Sequence, residues 1–116
     1  SARGDEEADF TALNDLPSID LDVTASPILK EGNKWSLDVE LANNSSSLGF
    51  SINPKLAQSA SRDLILPVYW DDNYFSLLPG QKRSLHVYFY EEGLDGEKPV
   101  LELEGWNINP KELIIE

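Results

Sequence analysis

The sequence predicts an all-β chain folded as an antiparallel sandwich, and three observations carry that prediction. Apolar and polar residues alternate at a period of two in several separate stretches. Turn residues recur about every dozen positions, and no ten-residue stretch repeats its apolar positions at helical spacing. A period of two sends alternate side chains to opposite faces of a strand, so each stretch buries one face and solvates the other.

The elements follow in chain order. Residues 1–9 carry almost no apolar content and suit a disordered or linker end. Phe10, Leu13 and Leu16 recur at spacings of three and stop at Pro17. That spacing fits one helical turn or an extended linker docked by three anchors; Pro17 disfavours helix at Leu16 and selects the extended course. Residues 1–16 are therefore assigned to a linker or disordered N-terminal segment, and 17–116 to one sandwich domain. Ile19, Leu21 and Val23 alternate with Asp20, Asp22 and Thr24 in a first strand. Glu31-Gly32-Asn33-Lys34 makes a turn into a second, with Trp35, Leu37, Val39 and Leu41 inward and Ser36, Asp38 and Glu40 outward. Trp35 is the candidate core tryptophan.

Asn43 to Ser47 is a loop, and Leu48, Phe50 and Ile52 share a face of a short strand that Pro54 ends. Lys55 to Arg62 is a polar crossover. Leu64 to Trp70 is apolar on both faces yet contains Pro67, and proline belongs on an edge or in a bulge. The expectation is an edge strand covered by a neighbouring domain. Pro79-Gly80 is a tight turn into a strand with Leu85, Val87 and Phe89 on one face and Ser84, His86, Tyr88 and Tyr90 on the other. Gly93 to Lys98 is a turn, and Val100 to Trp106 is the last strand, with Leu101 and Leu103 inward. Together these make an immunoglobulin-like antiparallel β-sandwich of about seven strands, without the cysteine pair of antibody domains.

Composition narrows the function. A length of 116 residues suits one domain with a core of its own. Without cysteine the chain has neither disulfides nor thiolate metal ligands. Nine basic against 21 acidic residues give a formal net charge of −12, which excludes the basic footprint nucleic acid requires and disfavours anionic membranes. No apolar run approaches the ~18 residues of a spanning helix, so membrane insertion is not expected. Residue 1 is serine and the chain has no methionine, which suggests a processed chain or a piece of a longer one, with any signal peptide upstream.

Few residues suggest chemistry. Asp71-Asp72 invites an acid/base reading, but neighbours on a strand point to opposite faces, and aspartate in a corner more often accepts from backbone amides. No loop has the oxygen spacing of a calcium site, and no cofactor is implied. His86, the one histidine, lies on the face of Tyr88 and Tyr90 and reads as a surface or interface residue, since no Gly-x-Ser-x-Gly elbow is present. Tyr69, Trp70, His86, Tyr88 and Tyr90 are candidates for an interdomain surface or a sugar-stacking patch. Asn43-Asn44-Ser45-Ser46 holds two overlapping glycosylation sequons that also fit an ordinary polar turn.

Leu66-Pro67-Val68-Tyr69-Trp70-Asp71-Asp72-Asn73-Tyr74-Phe75-Ser76-Leu77-Leu78-Pro79-Gly80, with the distal Gly105-Trp106-Asn107, resembles the C-terminal immunoglobulin-like domain of glycoside hydrolase family 2 enzymes of the exo-β-D-glucosaminidase and β-mannosidase type. Leu13-Asn14-Asp15-Leu16-Pro17 resembles the linker into that domain, and the likeness covers about residues 10–110. The resemblance implies a much longer parent, with a catalytic barrel that retains anomeric configuration through two glutamates. It transfers no catalytic residue to this chain. Asp72, Asn73, Tyr74, Pro79, Gly80, Gly105, Trp106 and Asn107 transfer as fold markers. Pro79-Gly80 is expected to set the turn, Asp72 or Asn73 to satisfy corner amides, and Tyr74 to pack its ring while its hydroxyl finds a partner; Asn73→Ala should then lower the melting temperature. The partners implied are other domains of the same polypeptide and, on an alternative reading as a carbohydrate-binding module, a glycan. A periplasmic or extracellular location follows from the resemblance alone.

Overall fold

A computed structural model describes residues 13–116. Among the described residues the fold is all-β, with nine strands in two antiparallel sheets. One sheet joins β1 (Asp22–Ala25), β2 (Leu29–Glu31), β3 (Lys34–Ala42), β5 (Val68–Trp70) and β7 (Lys82–Tyr90), in the order β1-β3-β7-β5 with β2 also on β3. The other has the order β6-β4-β8-β9, from β4 (Gly49–Gln58), β6 (Phe75–Leu77), β8 (Pro99–Gly105) and β9 (Ile108–Ile114). A single 3-10 turn, Glu91–Leu94, links β7 to β8. The core fills the space between the sheets and includes Leu37, Val39, Leu41, Leu85, Val87 and Phe89 from one sheet, facing Ile52, Leu56, Leu77, Leu101 and Leu103 from the other.

The alternation in β3 and β7 settles their orientation, because a one-residue slip would turn every leucine and valine into water. Trp35 does take the inward face, but it is only half-buried at the rim, meeting Phe89 edge-on at 6.2 Å under the ammonium of Lys30. Gly32, with φ +62°, makes the predicted β2–β3 turn.

Three local expectations are corrected. Pro54 does not end its strand: β4 runs to Gln58, burying Leu56 and Ala57 where a polar crossover was expected. Pairing with β6 stops at Ile52, so a proline at 54 forfeits no bond on that side, while Pro54 keeps register with Leu103 on the other. Nor is the strand ending near Trp106 the last one. The chain turns at Trp106-Asn107 and returns as β9, an edge strand whose Pro110 falls inside a register shift. Finally, Leu13 and Asn14 are helical, with Leu16 N–H bonded to Leu13 O at 3.2 Å, so the end of the linker turns instead of running extended. Phe10 and residues 1–9 lie outside the described residues.

Candidate functional site

Cross-strand register sets the outer face of the five-stranded sheet in rows. Leu29, Ser36, Tyr88 and Tyr69 are successive partners on β2, β3, β7 and β5, so they stand in one line on the face away from the core. Glu31, Lys34 and Tyr90 form the next row. The Tyr69 and Tyr88 rings stack with centroids 4.6 Å apart at 18°, and Tyr90 meets Tyr88 edge-on at 6.4 Å. Lys34 Nζ lies 4.3 Å from the Tyr88 centroid. Lys34 and Tyr69 come from the two strands that flank β7, so Tyr88 is held between an ammonium and a second ring. Toward the other end the rows turn polar: His86 Nδ1 lies 2.9 Å from Asp38 Oδ1, and Glu40 pairs with Ser84 and Thr24.

Trp70 does not join this face. It pairs with Val87, points inward against the core, and reaches the surface at the side of the sandwich. There, β6 leaves β4 after the Ile52–Phe75 pair, and the next bridge along that edge is Ala57 with Leu64. The gap is a cleft of about 220 Å³ lined by Pro54, Trp70, Tyr74, Asn53, Asn73 and Lys55, among others.

The Asp71–Gly80 corner sits beside that cleft. Asp71 Oδ1 accepts from the His86 backbone N–H at 3.1 Å. Asp72 Oδ1 accepts from the Asn73 N–H at 2.7 Å, and its other oxygen pairs with Arg83. Asp72 is thus the residue that satisfies the corner amide, while the Asn73 side chain is exposed. Tyr74 departs from expectation. Its ring is 67% exposed and its backbone is left-handed at φ +53°, with the hydroxyl 3.4 Å from Asn53 Nδ2. A tyrosine in that conformation stores on the order of 1–3 kcal/mol of strain. Pro79-Gly80 forms the turn: Gly80 has φ +80°, and Gln81 N–H bonds Leu78 O at 3.0 Å.

The Gly105–Asn109 turn clasps the segment that leads into the domain. Trp106 is 54% exposed, yet its indole N–H donates to Leu13 O at 2.9 Å. Asn107, 4% exposed, donates through Nδ2 to Pro17 O at 2.9 Å and Leu48 O at 2.7 Å, and accepts from Phe50 N–H at 2.9 Å. Ile19 N–H bonds Asn107 O, and Asn109 N–H bonds Ile19 O. A methyl at Gly105 would lie 2.6 Å from Ile108 Cγ1 and 3.1 Å from Ser51 O, which accounts for the glycine.

Asn43 is an organiser that the sequence did not distinguish from its loop neighbours. It is fully buried, donating to Ser47 O and Leu77 O and accepting from the amide and hydroxyl of Ser45. A buried amide with all its capacity engaged is not presented to a glycosylating enzyme, whereas Asn44 is exposed and bonds Asp22. The sequon signal was visible; the burial that decides between the two asparagines was not.

Lys55 and Glu104 pair across β4 and β8 of the four-stranded sheet at 2.6 Å, and Arg62, in the loop after β4, pairs with Glu112 of β9 at 2.9 Å. The hydrogen bond to Glu104 raises the Lys55 pKa and keeps its ammonium charged. Backbone N–H groups of Ser61 and Ala60 hold the Glu97 carboxyl below the usual range. Among the described residues, no group of three or more His, Cys, Asp or Glu side chains converges as metal ligands.

Comparison with known proteins gives a consistent answer. The family model described as the exo-β-D-glucosaminidase Ig-fold domain matches residues 1–108. An exo-β-D-glucosaminidase of Amycolatopsis orientalis is 32% identical over 102 residues, which cover 86% of this chain and 10% of the relative. A mannosylglycoprotein endo-β-mannosidase of Lilium longiflorum is 42% identical over 62 residues, covering 52% of this chain and 6% of the relative. The crystal structure of Amycolatopsis orientalis exo-chitosanase CsxA superposes with a TM-score of 0.81 at 28% identity, over 90% of this chain and 12% of that one. The chain spans about a tenth, or less, of the length of the relatives it matches.

Proposed function

The chain belongs to the exo-β-D-glucosaminidase Ig-fold domain family, and from that premise we propose that it serves as a non-catalytic accessory domain of a larger β-glycosidase. The parent hydrolyses β-linked glycans, β-glucosaminides or β-mannosides, and this domain packs on its other domains and braces them. The relatives' names support the enzyme class, and their greater length supports a reaction centre elsewhere in the parent. Retention through two barrel glutamates, and a location outside the cytoplasm, rest on the resemblance. No helix among the described residues is long and apolar enough to cross a membrane.

The observation that carries the packing role is the outer row in which Leu29 and Tyr69 are exposed and Tyr88, with Tyr90 beside it, is half-buried. Burying apolar area is worth about 25 cal/mol per Å², so a neighbour laid over this row gains from each ring it covers. The same face as a sugar platform has the occupied faces of Tyr88 against it. A parent enzyme carrying Tyr69→Ser and Tyr88→Ser should melt well below the unaltered parent, while the same changes shift the isolated chain little. The isolated chain should release nothing from aryl β-glucosaminides or β-mannosides. Equal shifts in both settings would remove the packing role, and turnover by the isolated chain would remove the accessory role.

A further inference from the structure

We propose that the side cleft between Trp70 and Tyr74 is a subsite for one neutral pyranose unit of a β-linked glycan. The choice of a glycan rests on the accessory-domain reading; the site itself rests on geometry. A pyranose has apolar C–H faces and a rim of hydroxyls, so it asks for an aromatic surface ringed by groups that both donate and accept. Trp70 and Tyr74 supply the surface. The amides of Asn53 and Asn73 donate and accept, and the charged Lys55 donates. At about 220 Å³ the cleft is smaller than the ~300 Å³ at which drug-sized pockets begin, which suits one ring and not an oligomer.

Two features mark the opening as built. Between the Ile52–Phe75 pair and the bond from Ile65 N–H to Leu56 O, residues 53–55 of β4 have no partner strand on this side among the described residues, so the sandwich edge is interrupted there. At its mouth Tyr74 keeps a left-handed backbone and an exposed ring, although glycine would make the same turn without strain. The exposed ring contributes nothing to the core, and with its hydroxyl 3.4 Å from Asn53 Nδ2 it borders the cleft where a bound unit would meet it. Among the described residues no carboxylate lines the cleft, and its one cation, Lys55, is already paired with Glu104 at 2.6 Å, so a glucosaminium ammonium would find no counter-charge there while a neutral unit needs none.

The test is an NMR titration of the 116-residue chain with β-1,4-mannotriose, and in parallel with fully deacetylated chitotriose. Mannotriose should produce saturable shifts at the Trp70 indole and the Asn53 and Asn73 amides, with a dissociation constant in the ~1–10 mM range. Tyr74→Gly, which keeps the left-handed turn, should weaken binding about tenfold. Asn53→Asp should weaken it as a second variant, Tyr69→Ser should leave it unchanged, and chitotriose should bind more weakly. Shifts that survive Tyr74→Gly, shifts confined to Tyr69 and Tyr88, or no shift at 50-fold the expected constant (about 50 mM upward) would each overturn the subsite. A silent titration beside a parent still weakened by the Tyr69 and Tyr88 changes would sink the subsite and leave the accessory role standing.

Discussion

Two turns with equally conspicuous sequences, Asp71–Gly80 and Gly105–Asn109, do different physical work. Both reach the loop between β3 and β4: the first through Leu77 O, which takes a bond from Asn43, and the second through Asn107, which holds Leu48 and Phe50. The second turn is knitted inward, with Asn107 joining segments 57 and 90 residues away. The bonds of Asp72 are to its own neighbour and to Arg83, and the turn presents Asn73 and Tyr74 to solvent. A polar side chain buried with distant partners stabilises the fold; one exposed with local partners leaves its surroundings free for other uses.

The most severe way to break this contrast is Asn107→Ala. It leaves the half-buried Phe50 N–H and Leu48 carbonyl and the exposed Pro17 carbonyl without their partner; an orphan shut off from water costs about 1–3 kcal/mol and one that water reaches costs less, so a loss of about 2–3 kcal/mol is expected. Urea denaturation should show it as a lower midpoint at unchanged slope; a loss below ~1 kcal/mol would mean the clasp is dispensable. Gly105→Ala comes next. Its methyl would press on Ile108 and the Ser51 carbonyl, and overpacking of this kind costs about 1–3 kcal/mol.

The outer turn is expected to respond less, and unevenly. Asp72→Ala gives up one amide bond and a partly exposed ion pair, for a loss of about 1 kcal/mol in thermal melts. Asn73→Ala should fall within ~0.5 kcal/mol, because the side chain is exposed, which revises the melting-temperature drop its sequence position suggested. A larger effect at Asn73 than at Asp72 would reverse the assignment of the corner. Glu97→Gln, outside both turns, sets the baseline. The Glu97 pKa is depressed below its ordinary 4.5, so its stabilisation is present above that value and fades as pH falls through the lowered one. The unaltered chain should therefore lose stability more steeply than Glu97→Gln below that pH, and parallel curves would show the backbone bonds to be inconsequential.

Much of the sandwich was legible because alternation is a local property. Leu37, Val39 and Leu41 against Asp38 and Glu40, or Leu85, Val87 and Phe89 against His86 and Tyr88, declare an inner and an outer face whatever lies opposite. β9 was not legible, because Asn107, Asn109 and Pro110 are turn formers and only pairing with β8 makes that stretch a strand. Pro54 misled for the same reason: whether a proline ends a strand depends on which neighbour is present at that position. In the candidate sites, Tyr88 and Tyr90 were placed on the outer face by period alone, while Trp70 was grouped with Tyr69 and turned out to face the other way.

By itself the sequence determined the all-β class, the inward set of β3 and β7, the Gly32 and Gly80 turns, and the likeness to one domain family, all of which are written in residues close together along the chain. Tertiary structure decided which asparagine is an organiser and which is exposed, that Tyr88 is enclosed by Tyr69 and Lys34, and that Tyr74 stands in water beside an open stretch of β4. Each of those depends on groups brought together from distant positions, and a side chain's burial and partners are set by that assembly, not by its neighbours in sequence.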